Sequence, residues 1–224
     1  MMLLALHTSG SEGSVALARC SEGTAQILRL QHLGAKTFVA DLVPAIQRAL
    51  KDAAVDWSSV EAIAVTTGPG SFTGIRIGMA TAKGLAEPKR LPIIPVSSLA
   101  LPAMRMPQAR SVLDAGRTDF YAGEFSQRGQ QCAWERWLTR EQLLQAPLPD
   151  GVVYITPETE AAETLQENGQ TVLLCAVPDA AAVAKWAAQR IAQPGFDPQA
   201  YAWETADGNY LRRPEAEIKL EAAR

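Results

Sequence analysis

Between Thr66 and Ala86 the chain reads TTGPGSFTGIRIGMATAKGLA, and no other stretch limits its fold as strongly. Gly74, Gly78, Ala82 and Ala86 recur at every fourth position, and Gly84 adds a third glycine to the same run. Residues four apart stand one above another on a helix, so the pattern is a helix with one face of small residues. Each interior glycine costs about 1 kcal/mol relative to alanine. Three of them imply a backbone that something approaches closely. Two readings satisfy this: tight packing on the chain's own sheet, or a helix arriving from another chain. Arg76, Lys83 and Glu87 share one narrow face and nearly everything else is apolar or small, so the helix reads as covered on most sides.

The residues ahead of this helix form a tight strand-to-helix turn around Gly68-Pro69-Gly70, with Ser71 placed as its cap. Free N–H groups at such a start can hold an anion. Neither Gly-Lys-Ser/Thr nor Gly-x-Gly-x-x-Gly is present, so the motif gives phosphate binding no further support. A second helix is expected over Thr37 to Leu50. There Phe38, Val39, Leu42, Val43, Ala45, Ile46, Ala49 and Leu50 fall in one arc roughly 160° wide, against the ~100° that one core contact needs. The helix either lies deep in its own domain or also meets another subunit.

Around these helices the order of elements is that of an α/β protein. Met1 to Leu6, Ser14 to Ala18 and Ala25 to Leu30 read as a strand meander, Val60 to Thr66 and Leu91 to Val96 as strands joined by crossovers. A break near Ser98 to Gln108 leads into strands at 109–114, 120–125, 131–138, 152–156 and 171–175. Thr139 to Gln142 has capping-box form, Pro157 opens one helix, and Asp179 caps another through Ala192. The expected architecture is two similar lobes, residues 1–100 and 101–224, each a mixed sheet with flanking helices.

Lys and Arg total 21 against 24 Asp and Glu, a net charge of −3. That excludes a free-standing nucleic-acid binder relying on a basic surface, while 47% hydrophobic residues provide a real core. Three scattered cysteines suggest neither a zinc site nor a disulfide framework and fit the cytoplasm. The apolar start, Met1 to Leu6, is too short for a membrane span or signal peptide.

Few residues offer catalysis. The two histidines, His7 and His32, lack metal-ligand spacing. Ser71 lacks a nucleophile elbow and a nearby base. Cys132 and Cys175 read as small core residues. Asp114, Arg117 and Asp119 either orient a ligand between the lobes or simply form a turn. Arg212 and Arg213 read as a solvated tail, with RNA phosphate or a partner's carboxylates as the alternative.

The segment Gly68-Pro-Gly-Ser-Phe-Thr-Gly74-Ile-Arg76-Ile-Gly78, continued by Ala80-Thr81-Ala82-Lys83-Gly84-Leu85-Ala86, closely resembles the signature of the bacterial TsaB (YeaZ) family. Shorter matches run through Leu4 to Ser9, Pro95 to Leu99, Leu113 to Arg117 with Phe120-Tyr121, and Tyr210 to Arg212. Two positions depart from the family pattern: His7 stands where it usually has Asp, and Phe38-Val39 where it often has His-Ser. The resemblance implies the fold of sugar kinases, Hsp70 and actin, with ribonuclease-H-like lobes. It also implies a non-catalytic cytoplasmic subunit required to make threonylcarbamoyladenosine in tRNA, next to the anticodon. Such a subunit binds and activates the catalytic homologue TsaD, with the ATPase TsaE as third component. On its own it forms a homodimer, meets tRNA only through the complex, and binds no metal and no membrane. It holds no cofactor by itself, ATP or ADP belonging to the complex. The residues assigned to partner binding are Phe38, Leu42, Ala45, Ile46, Gly70, Ser71, Phe72, Gly74, Arg76, Gly78 and Ala82. The alternative function is an ATP-dependent small-molecule kinase of the same superfamily. A metallopeptidase-like hydrolase is disfavoured, because relatives that hold a metal use a pair of histidines on one helix.

Overall fold

The computed structural model describes residues 1–34 and 38–211, together with all their side chains except those of Phe38 and Val39. The first sheet is built from β1 (Met2–His7), β2 (Gly13–Ser21), β3 (Thr24–Leu33), β4 (Ala62–Gly68) and β5 (Ile93–Ser97), in the order β3-β2-β1-β4-β5. The first three strands pair antiparallel, and β1, β4 and β5 run parallel. Helices α1 (Phe38–Asp52) and α2 (Phe72–Ala86) make the crossovers that parallel strands require.

The second sheet repeats that plan. It holds β6 (Gln108–Gly116), β7 (Asp119–Ser126), β8 (Gln131–Leu138), β9 (Val153–Thr156) and β10 (Val172–Leu174), ordered β10-β9-β6-β7-β8. Read from the other edge, three antiparallel strands are again followed by two parallel ones. This is the two-lobed architecture expected of the sugar kinase, Hsp70 and actin fold. Three short helices belong to this half: α3 (Ala100–Ala103), α4 (Arg140–Gln145) with its Thr139–Gln142 capping box, and α5 (Thr159–Glu167). Pro157 lies two residues ahead of α5 rather than opening it, and the side chain of Glu158 makes no cap bond there.

Alternation along the first sheet separates two cores. Leu4, Leu6, Val15, Leu17, Ile63, Val65 and Ile93 face α1 and α2. Leu3, Ala5, Ala16, Ala18, Ala62 and Ala64 face the other way, mostly small. The helix that covers them is α6 (Ala180–Ile191), equally small with Ala180, Ala184, Ala187 and Ala188, so helix and sheet come close. The sequence boundary put α6 with the second lobe. In space it lies on β1, β2 and β3, while α3 reaches β6 and β7. Periodicity fixes which face of a helix is apolar, but not which sheet receives it. Asp179 caps α6 as expected, accepting from the N–H of Ala181 and Ala182 at 2.9 and 3.1 Å.

The small-residue face of α2 serves the chain's own fold. A Cβ on Gly74 would fall well inside 3.0 Å of the Thr8 carbonyl oxygen, and one on Gly78 would fall equally close to Thr8 Oγ1. Leu42, Ala45, Ile46 and Ala82 are likewise buried in the core. This corrects their assignment to partner binding: Gly74, Gly78, Leu42, Ala45, Ile46 and Ala82 present no surface. The helix is also less covered than its composition suggested. Phe72, Thr73, Arg76, Ala80 and Gly84 are exposed along one face. A Cβ on Gly84 would meet nothing within 4 Å, unlike the other two helical glycines.

Candidate functional site: the strand-end cleft and the α1–α2 face

The carboxyl ends of β1, β4 and β5 converge where open α/β sheets generally place their ligands. After β1 the chain turns at Thr8-Ser9-Gly10, and this turn is pinned from two sides. Ser71 N–H donates to the Ser9 carbonyl at 2.8 Å, and the Ser98 hydroxyl donates to Ser9 Oγ at 2.7 Å. Gly70 takes a φ of +146°, and a side chain there would strike the Ser9 carbonyl, so only glycine closes this contact. Ser71 then caps α2, its Oγ accepting from the N–H of Gly74 at 3.2 Å. The hydroxyl is thus engaged as a cap, as its spacing implied.

Across the cleft stands the β6–β7 turn. Together Ser9, Gly10, Gly70, Ser71, Asp114, Tyr121 and Glu158 line a cavity of about 420 Å³. A wider one of about 810 Å³ adjoins it, with Arg117, Arg140, Thr159 and Glu160. Asp114 and Glu158 are close neighbours: the N–H of Asp114 donates to Glu158 Oε2 at 2.5 Å. Burial raises the pKa of Glu158, and the charges of Asp114 and Glu160 push it the same way. Asp114 and Glu158 thus place two carboxyl groups on the wall of the inner cavity, while Arg117 and Arg140 line the outer one. The Asp114 carboxylate also accepts from the N–H of Gly116 at 2.9 Å, so its turn-forming role is real while Glu158 is the neighbour that sequence spacing missed.

His7 ends β1 beneath this cleft, buried, with its pKa lowered to about 4 by desolvation against a smaller opposing pull from Asp179. It is neutral at neutral pH. Among the described residues no cluster of three or more His, Cys, Asp or Glu is arranged to hold a metal. No helix among them is long and apolar enough to cross a membrane. Cys132 is exposed on β8, which corrects its reading as a core residue, while Cys175 is half-buried and packs against the core.

The second candidate is the outer face of α1 and α2. Of the residues assigned to it, Gly70, Ser71, Phe72 and Arg76 are exposed. The side chain of Phe38, and Arg212 and Arg213, lie outside the described residues. Phe72 is 41% exposed and carries the Arg76 guanidinium 3.8 Å above its ring. Tyr210, 42% exposed, packs on Phe72 with ring centroids 5.3 Å apart. Val43 adds an exposed apolar side chain on α1, and Ala80 and Gly84 extend the strip along α2. Val43, Ala80, Gly84 and Tyr210 were not singled out for this face. The available signals were the excess width of the apolar arc on α1, which Val43 occupies, and the helix-propensity cost of Gly84.

The family model described as "TsaD: tRNA N6-adenosine threonylcarbamoyltransferase" matches residues 32–219, most of the chain. The chain belongs to the TsaD family. Within that family it is similar to the TsaB (YeaZ) proteins. It is 38% identical over 118 residues to the tRNA threonylcarbamoyladenosine biosynthesis protein TsaB of Haemophilus influenzae, covering 51% of this chain and 48% of that protein. Against the TsaB of Escherichia coli K12 the identity is 35% over 140 residues, 60% of this chain and 58% of that one. The matches thus span about half the length of these curated relatives. YeaZ from Pseudomonas aeruginosa superposes with a TM-score of 0.74 at 27% identity, covering 94% of this chain and 99% of that chain. The glycine-rich segment that carries the TsaB resemblance is the turn and helix that lock onto Thr8 and Ser9.

Proposed function

We propose that this chain is a non-catalytic, cytoplasmic subunit of the machinery that makes threonylcarbamoyladenosine in tRNA. It docks on the catalytic TsaD homologue, with TsaE as the third component. The observation that carries this reading is the exposed strip of α1 and α2, Val43, Phe72, Arg76, Ala80 and Gly84. All of these but Val43 lie on the helix of the family signature. Aromatic residues and arginine are the groups enriched in protein interfaces. A glycine open to solvent in mid-helix lowers helix stability without any packing return inside the chain, and it admits a partner helix at close range. A subunit without chemistry raises activity by binding the competent conformation of its partner more tightly. The isolated chain covers the same strip by forming a homodimer, and tRNA reaches it only through the assembled complex.

In this reading the chain holds no nucleotide alone, and ATP or ADP belongs to the complex.

The decisive experiment replaces Gly84 by leucine. The new side chain enters open space, so the variant folds. Complex formation with the TsaD homologue of the same organism is followed by light scattering coupled to gel filtration. Wild type is expected to form the complex and the homodimer, and Gly84→Leu neither. Equal binding by both places the interface elsewhere, and no binding by either refutes the subunit role.

A further inference from the structure

Glu135 belongs to β8, at the edge of the second sheet, yet its carboxylate is shared with two pieces of chain outside that sheet. Oε1 accepts the hydroxyl of Ser97, at the end of β5 in the first sheet. Oε2 accepts from Asn209 Nδ2 at 2.7 Å, in the segment that follows α6. Both donors are neutral. Burial raises the pKa of Glu135, and the same two hydrogen bonds oppose that shift. A largely buried carboxylate with neutral donors depends on keeping each of them, because an orphaned charge is far more costly than a lost neutral bond.

Asn209 is held through its backbone as well. Its N–H donates to the Thr67 carbonyl at 2.7 Å, and its own carbonyl oxygen lies 3.1 Å from where a Cβ on Gly68 would stand. The segment therefore crosses the end of β4, beside the turn that leads into α2. The next residue is Tyr210, whose ring meets Phe72 at the start of α2. A line of contacts thus runs from the second lobe, through Glu135 and Asn209, to the exposed end of α2.

We propose that Glu135 is a positioning residue: by clasping Ser97 and Asn209 it fixes the 207–211 segment across β4, and so sets the Phe72–Tyr210 pair as part of the partner-binding face. The clasp itself stands on the contacts above; its consequence for the partner rests on the proposed function.

Hydrogen exchange on the full chain tests the clasp without any partner. In Glu135→Ala the Asn209 amide is expected to exchange about tenfold faster or more, the scale of a hydrogen bond to a charged group. The amides of Ile63 and Val65, inside the first sheet, are expected to keep their rates. The double variant Glu135→Gln/Asn209→Asp reverses donor and acceptor: the introduced amide still accepts from Ser97 through its oxygen, and its NH2 group donates to the new carboxylate. It is expected to restore protection of the residue 209 amide, and so is Glu135→Gln alone, because the Asn209 side-chain amide can turn its oxygen to accept from the new NH2 group. Unchanged exchange in Glu135→Ala, or no rescue by the reversed pair, overturns the clasp. Affinity for the TsaD homologue is then measured on the same variants, with a loss of about tenfold in Glu135→Ala and recovery in the reversed pair. Altered exchange with unaltered affinity leaves the clasp standing and overturns its link to the partner face.

Discussion

Alanine at Gly74 and alanine at Gly84 should change stability in opposite directions, although both positions lie on α2. At Gly74 the added methyl falls well inside 3.0 Å of the Thr8 carbonyl oxygen and 3.1 Å from its carbon. That neighbour is backbone, and Thr8 N–H is tied to Thr66 Oγ1 at 3.1 Å, so it cannot swing aside cheaply. Overpacking of this kind costs about 1–3 kcal/mol, and a rigid neighbour puts the cost at the upper end. The gain in helix propensity is about 1 kcal/mol, leaving Gly74→Ala destabilised by about 1–2 kcal/mol. At Gly84 nothing lies within 4 Å, so the gain of up to ~1 kcal/mol stands alone. The two variants should therefore differ by about 2–3 kcal/mol, or roughly 4–12 °C in Tm for a chain of this size. Urea unfolding followed by circular dichroism measures both, with equal m values confirming a common unfolded state. A Gly74→Ala variant as stable as wild type would refute the argument that Thr8 makes this glycine obligatory. The same clash makes Gly74 and Gly78 unsuitable for probing an interface, because enlarging them disturbs the fold first.

Removing the α6 cap with Asp179→Ala should cost about 1 kcal/mol, since two N–H groups lose their acceptor; an unchanged urea midpoint would show that the cap is idle. In the second lobe, Glu124 is ion-paired with buried Arg110 and accepts from Trp134 Nε1 at 3.1 Å. Glu124→Ala leaves that guanidinium uncompensated and should cost about 3–5 kcal/mol, which a loss under ~1 kcal/mol in denaturant titration would contradict. His7 has a folded pKa of about 4 against 6.5 for the unfolded chain, so the unfolded state binds the extra proton. Stability should then fall as pH drops from 6.5 towards 4, by about 3 kcal/mol at most. His7→Gln should flatten that part of the pH–stability curve, and an equally steep curve would remove His7 as the cause.

Much of this protein can be read from the order of its residues. The short apolar runs that end at Leu6 and Ala18, bounded by turn residues, specify strands buried on both faces. The four-residue spacing of Gly74, Gly78, Ala82 and Ala86 specifies a helix with a close neighbour, and the long signature around it points to the family. Ser71, Asp179 and the Thr139–Gln142 box were legible as caps, since capping depends on residues only two or three apart. The remainder came from packing in three dimensions. A small face demands a close approach but does not name the approaching group, and here it is Thr8, more than sixty residues earlier in the chain. The apolar arc of α1 likewise says that Leu42, Ala45 and Ile46 are covered, not whether the cover is β2 and β3 or a second chain. The Ala-rich faces that draw α6 back to the first sheet, and the meeting of Glu135 with Ser97 and Asn209, join residues far apart in sequence. Local patterns record what each element needs, and only the packing of all of them together records which partner supplies it.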